Sequence, residues 1–155
     1  MSQLAKLTFV ILDERYYTWG LPTYASLDAA GIDLRACLDE TVSLGHAKVK
    51  LHLGVAAAIP RGHVGLLVPR SSTGSKGLEL INTVGVIDSD YRGEIMAHVR
   101  NKYPEQELLI QPGDRIVQLI IVPIATFANI EHKTSFDPSD QTDRGDGAFG
   151  STGAN

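Results

Sequence analysis

The residues best suited to chemistry lie between Val84 and Glu94. There the run Val-Gly-Val-Ile-Asp-Ser-Asp-Tyr-Arg-Gly-Glu sets two carboxylates, Asp88 and Asp90, between an apolar segment and the pair Tyr91-Arg92. A carboxylate pinned beside an apolar strand loses hydration, binds a proton more readily and becomes a better general base. Gly85 and Gly93 bracket the run and allow a tight turn or a close approach to a ligand. Asp-rich turns are also ordinary hairpin tips, so this stretch takes its meaning from its company.

Four other clusters supply that company. Ala30-Gly31-Ile32-Asp33-Leu34 places an acid just after a glycine, a pattern also met in a solvated strand edge. Pro69-Arg70-Ser71-Ser72-Thr73-Gly74 gathers a guanidinium, three hydroxyls and pliant backbone, which together suit an oxyanion. Just before the acidic run, Asn82 offers a donor and an acceptor that match a base edge. Gly113-Asp114-Arg115-Ile116-Val117-Gln118-Leu119 sets Arg115 and Gln118 at the start of a buried strand, or is simply the turn into that strand. The last cluster, Arg144 to Gly153, has four glycines in ten residues with Phe149, Ser151 and Thr152 among them. Such a segment can wrap a phosphate chain and stack a ring, or remain a disordered tail. It lacks the Gly-Lys-Ser/Thr of a P-loop.

The elements that must position these clusters are strands. Leu7–Leu12, Ile32–Cys37, Lys48–Val55, His63–Val68, Ile95–Arg100, Leu108–Ile110 and Arg115–Ala125 are β-rich, and turns with Gly or Pro separate many of them. In Lys48–Val55 the alternation is clean, with Val49, Leu51, Leu53 and Val55 on one face and Lys48, Lys50 and His52 on the other. No ten-residue amphipathic segment occurs, and at most one short helical turn is expected, near Ser75–Leu80. The fold class is therefore all-β, a sandwich or jelly roll, with a flexible Gly-rich C-terminal arm. A single domain spans 1–155, with the β core at 1–130 and the arm at 131–155.

Composition narrows the partners. Fourteen basic and 18 acidic residues give a net charge of −4, no footprint for duplex nucleic acid or an anionic membrane. Cys37 is the single cysteine, which excludes a disulfide framework and a Cys-based zinc site. The five histidines are scattered without metal-ligand spacing. No stretch reaches 18 consecutive apolar residues and Met1–Thr8 lacks the run of a signal peptide, so a cytoplasmic protein is expected.

In order and spacing, the five clusters closely resemble the five motifs of the homotrimeric deoxyuridine triphosphate nucleotidohydrolases, the dUTPases, from Leu21 to the end of the chain. The resemblance implies a jelly roll that trimerises, with each active site drawing on three chains and closed by an arm. It implies that Asp88 activates a water for attack on the α-phosphorus of dUTP, giving dUMP and pyrophosphate. This would limit uracil incorporation into DNA and supply dUMP for dTMP synthesis. Asn82 and the main chain at Val86 and Ile87 would read uracil in a tight hairpin, Tyr91 would pack under the deoxyribose, and Met96 would lie near the base. Arg70, Ser71, Ser72 and Gln118 would hold the phosphates. Arg144, Gly150, Ser151 and Thr152 would close over them while Phe149 stacks on the base. The implied cofactor is Mg²⁺ carried mainly by the triphosphate, with Asp33 as a partner through water.

Two departures stand out. Gly147-Ala148, preceded by Asp146, replaces the usual Gly-Gly before the tail phenylalanine, and Ser72-Thr73 stands where many members have Gly-Leu. Two alternatives accompany the resemblance. The related dCTP deaminases carry a glutamate three residues before an asparagine on the strand after the third motif; counting back from Asn101 gives His98, which disfavours deamination. A member of the same fold acting as a regulatory protein-binding partner is the other.

Overall fold

The computed structural model describes residues 6–143; the arm residues Arg144, Phe149, Gly150, Ser151 and Thr152 lie outside them. The chain divides into two compact units, Met1–Ala125 and Thr126–Asn155.

The first unit is antiparallel β, as the alternation requires. Its strands are β1 (Thr8–Ile11), β2 (Gly31–Arg35), β3 (Val42–Leu44), β4 (Val49–Ala58), β5 (His63–Pro69), β6 (Leu78–Leu80), β7 (Gly85–Ile87), β8 (Glu94–Asn101), β9 (Leu108–Ile110) and β10 (Arg115–Pro123). They form two four-stranded sheets, β1-β4-β8-β6 and β2-β10-β5-β7, and a β3-β9 ribbon. Leu51, Leu53 and Val55 of β4, Ile95, Ala97 and Val99 of β8, Ile32 and Leu34 of β2 and Ile116, Val117 and Leu119 of β10 belong to one buried cluster. Every second residue of β8 is buried, so this strand has a wet face and a dry face.

One local expectation shifts. Near Ser75–Leu80 the chain forms strand β6 instead of a helical turn, because Leu78 and Leu80 are both wanted in the core and period-2 spacing puts them there. Helical turns occur instead at Tyr16–Trp19 (α1) and Ser71–Gly74 (α2), each four residues long. In α1 the ring of Tyr16 is fully buried, and its hydroxyl donates to the Leu53 carbonyl at 3.0 Å and accepts from the Arg35 N–H at 3.0 Å. Tertiary anchoring thus makes a helical turn in a segment with no helical period.

β4 departs from alternation after Leu53. Its pairing with β8 slips between His52 and Ala56, so three residues of β4 stand against one of β8. Gly54 sits in this bulge with φ of 61°, a left-handed conformation that costs glycine little. Its carbonyl accepts from Leu12 and Asp13, at 2.8 and 3.1 Å. A side chain at Gly54 would collide with Cys37 and Asp13. Burial, foremost, pushes the Cys37 thiol up to about 12.

Asp13 locks the entry to this region. Its Oδ2 lies 2.6 Å from Arg15 Nη2, and its Oδ1 accepts from Arg15 Nε at 2.9 Å. Hydrogen bonding from Arg15 holds the Asp13 carboxyl at about 2, below its ordinary 3.8. A depressed carboxylate stabilises the fold fully above its unfolded pKa and loses that contribution as pH falls toward the folded value. Asp13→Asn is therefore expected to melt lower than the parent chain at pH 7, with the gap closing between about pH 4 and about pH 2. Thermal melts across that range check this; a constant gap would mean that packing, not charge, accounts for the loss.

Candidate active site

The first of two candidate half-sites is built by strand register. β10 runs between β2 and β5, placing Gln118 opposite Asp33 on one side and Val68 on the other. Arg70 follows β5 directly, so the guanidinium reaches the same spot: its Nε donates to Asp33 Oδ1 at 2.8 Å. Arg115 Nη1 donates to Asp33 Oδ2 at 3.2 Å. One part-buried carboxylate thus sits between two guanidiniums and holds both in place. The Gln118 side chain lies over Gly31 so closely that any side chain there would overlap it.

The α2 turn completes this corner. Thr73 Oγ1 donates to the Ile116 carbonyl at 2.7 Å and fastens the turn to β10, leaving Ser71 and Ser72 exposed. A cleft of about 260 Å³ opens beside it, lined by Arg70, Ser72, Thr73, Lys76, Asp114 and Arg115, with the β9 residues Leu108 to Ile110. Guanidiniums, hydroxyls and an ammonium make this an oxyanion cradle. Lys76 was not among the site residues expected, since a solitary lysine carries no spacing signal.

The second half-site is a cleft of about 190 Å³ lined by Val86, Ile87, Asp88, Tyr91, Glu94, Ile95 and Met96. The expected tight hairpin is not a single ladder. β7 pairs with β5 in one sheet, whereas β8 pairs with β4 and β6 in the other. The segment between them crosses from sheet to sheet, and the cleft opens where the strands part. Among the described residues β7 is the last strand in its sheet order, with backbone donors and acceptors on its far side outside any ladder. Val86 is 62% exposed on this edge.

The loop after β7 is turned by the Tyr91 N–H donating to the Asp88 carbonyl at 3.1 Å. Arg92 Nη1 closes it with bonds to the carbonyls of Ser89 and Tyr91, at 2.7 and 2.8 Å. Asp88 is exposed, which corrects the expectation that strand burial alone strips its water: the chain ends the strand at Ile87 and lifts the acid clear. Asn82 does not line this cleft. It lies beyond the opposite end of β7, next to Thr83, whose φ of 64° is an uncommon conformation for a β-branched residue.

The half-sites do not meet within one chain. Ile87 pairs with Gly65 and Gly85 with Leu67, so Asp88 stands at the level of Val64 while Arg70 lies beyond Pro69. Six residues of strand separate those levels, about 20 Å at the usual rise per residue. A larger cavity, about 460 Å³, occurs in the second unit, lined by Glu131 to Phe136 and Asp140. It contains no motif residue, and its size gives it no chemistry. The two residues that framed the deamination alternative are placed structurally: His98 is exposed on β8, and buried Asn101 donates to the carbonyls of Leu44 and Gln106 at 2.9 and 2.7 Å.

Comparison with known proteins bears on both half-sites. The family model for dUTPase matches residues 18–153. A deoxyuridine 5'-triphosphate nucleotidohydrolase of Acinetobacter baylyi is 42% identical over 154 residues, 96% of this chain and 98% of its own. Among solved structures, a mutant dUTPase of Staphylococcus bacteriophage 80alpha with dUpNHpp superposes with a TM-score of 0.80 at 28% identity, covering 96% of this chain and 99% of its own. A mutant dUTPase from phage phi11 of S. aureus, described for coordination of a structural Mg(II) ion, has a TM-score of 0.70 at 28% identity, covering 84% of this chain and 98% of its own.

The cradle geometry yields a test. Asp33→Asn leaves two guanidiniums facing each other without their counter-charge, and the melting temperature is expected to fall by several degrees, or about 1–2 kcal/mol. Screening already weakens the pairs in about 1 M salt, so the loss should shrink there. An equal loss at both salt concentrations would assign the effect to shape alone.

Proposed function

The chain belongs to the dUTPase family, and from that premise we propose that its half-sites are completed across the subunits of a homotrimer, with Asp88 as the catalytic base. Its activity is that of a dUTP diphosphatase, releasing dUMP and pyrophosphate. In this reading Asp88 accepts a proton as water attacks the α-phosphorus and the bond to the bridging oxygen of the leaving pyrophosphate breaks. The observation that carries it is the cleft in which Asp88 shares walls with Val86, Ile87, Tyr91 and Met96. There the β7 edge is suited to pair with uracil, and the Tyr91 ring to floor a deoxyribose where a 2'-hydroxyl has no room. Asn82 would join from the far end of β7.

Arg70, Ser71, Ser72 and Gln118 would receive the phosphates, with Arg115 and Lys76 adding charge. The separation of about 20 Å between Asp88 and Arg70 along one chain, taken from strand rise, supports sites shared between chains. An Asp88 exposed on one protomer would then be desolvated by substrate and by a neighbour. Arg144, Phe149, Gly150, Ser151 and Thr152 would act as the closing arm. The product dUMP would serve dTMP synthesis, and removal of dUTP would keep uracil out of DNA.

Magnesium enters this reading with the triphosphate. Among the described residues no group of three His, Cys, Asp or Glu side chains is placed to hold a metal ion. Both Asp33 oxygens already accept from guanidiniums, so this carboxylate does not fit as a direct ligand. When bound, the ion would offset phosphate charge, held by phosphate oxygens and water.

Pyrophosphate release measured in parallel from dUTP, dTTP, dCTP and UTP is expected to be fast for dUTP alone. Asp88→Asn should keep dUTP binding and lower turnover by about 10²-fold or more, since it removes the base and preserves its shape. Unchanged turnover would move the base elsewhere, with Asp90 the first suspect. Sizing in solution should give roughly 50 kDa, three times 16.7 kDa. A monomer with full activity would end the shared-site model.

A further inference from the structure

Asp88 shares its cleft with a second carboxylate, Glu94. Both oxygens of Glu94 are engaged within the protein. Oε1 accepts the Gly54 N–H at 2.9 Å, and Oε2 lies 2.8 Å from His52 Nδ1. The Glu94 side chain is three-quarters buried, whereas that of His52 is 60% exposed. At the same residue the main-chain carbonyl accepts the Tyr91 hydroxyl at 2.9 Å. Glu94 therefore joins the β4 bulge, through its side chain, to the Tyr91 ring, through its backbone.

Among the described residues, the bond to the Glu94 carbonyl is the hydrogen bond made by the Tyr91 hydroxyl. Tyr91 is 41% exposed. Its phenol lies over Gly93 so closely that a Cβ at that position would overlap the ring. Its pose is thus defined by a glycine with no side chain to resist sliding and by one hydrogen bond to a carbonyl. The Glu94 backbone is paired with Ala56 in the ladder, at the edge of the register slip, and its side chain adds a second tie, to the amide of Gly54. That amide is fixed in turn, since the Gly54 carbonyl accepts from Leu12 and Asp13. A chain of short bonds runs from the Asp13 turn through the bulge to the cleft.

We propose that Glu94 is a positioning residue for sugar selection: by anchoring its own backbone to the β4 bulge, it holds the Tyr91 ring where a ribose 2'-hydroxyl is excluded. This rests on the assignment of Tyr91 to the deoxyribose. A ring free to shift by an ångström would admit one more hydroxyl, and a displacement of that size is enough to change rates markedly. His52 steadies the outer oxygen, and its exposure makes it the lesser partner.

The test compares kcat/KM for dUTP and UTP in the full-length protein and its variants, with melting temperatures alongside. Glu94→Ala is expected to narrow the dUTP:UTP ratio by about tenfold, chiefly through KM. Glu94→Gln keeps an acceptor for the Gly54 amide and should restore most of the discrimination. Tyr91→Phe removes the bond to the Glu94 carbonyl without touching the bulge. It should narrow the ratio similarly, with no further narrowing in the double variant with Glu94→Ala. If Glu94→Ala does not fold, Tyr91→Phe decides, and an unchanged ratio overturns the proposal. An unchanged ratio in a folded Glu94→Ala, while Tyr91→Ala moves it, overturns this inference alone. An unchanged ratio in Tyr91→Ala overturns the sugar assignment and the inference with it.

Discussion

The position of β5 between β10 and β7 is the constraint on which the rest of this protein depends. Its pairing with β10 aligns Val68 with Gln118, and the β10 pairing with β2 aligns Gln118 with Asp33. Its pairing with β7 places Ile87 opposite Gly65, near the other end of the strand. One strand therefore assembles the oxyanion cradle at its finish and offers the acid-bearing cleft near its start. A slip of one residue would turn Asp33 and Gln118 into the core and Leu34 and Leu119 outward, at the cost of several buried aliphatic side chains.

Electrostatics in the cradle follows from that register. Three groups that would repel or remain flexible on their own, Arg70, Arg115 and Asp33, become a preorganised unit, because the acid accepts from both guanidiniums. Each guanidinium keeps donors beyond the ones committed to Asp33, so the unit retains capacity for an incoming anion. Preorganised charge of this kind helps a dispersed phosphoryl transition state more than mobile charge does, since nothing must reorient during the reaction.

The β4 bulge performs a comparable service for the other half-site. Regular alternation would align β4 and β8 throughout and leave Glu94 no amide to accept. The extra residues around Gly54 expose an amide to the Glu94 carboxylate and a carbonyl to the Asp13 turn. The cleft is thereby linked to α1, whose Tyr16 hydroxyl bonds the bulge at Leu53. Residues far from the motifs in sequence thus share in shaping the site.

Much of this was legible in the sequence, for a physical reason. Period-2 alternation in β4 and β8 and Ile/Val enrichment in β10 are local properties, so strand identity and the all-β class follow from one chain read in order. The motifs are equally local: an acid beside an apolar run and an arginine before hydroxyls declare their chemistry by type and spacing. Three-residue strands such as β3, β6 and β7 carry too few residues for a period, and β6 looked helical until Leu78 and Leu80 found the core. Asp33 meeting two arginines 37 and 82 positions away, and Glu94 meeting Gly54 across 40, depend on sheet order and on a bulge. Neither is written in any local pattern, because pairing between strands is chosen by the packing of the whole core. Residue types and local spacing settle which groups are available for chemistry; strand pairing settles which of them touch, and it sets Asp88 and the Arg70–Asp33–Arg115 cluster at different levels of β5.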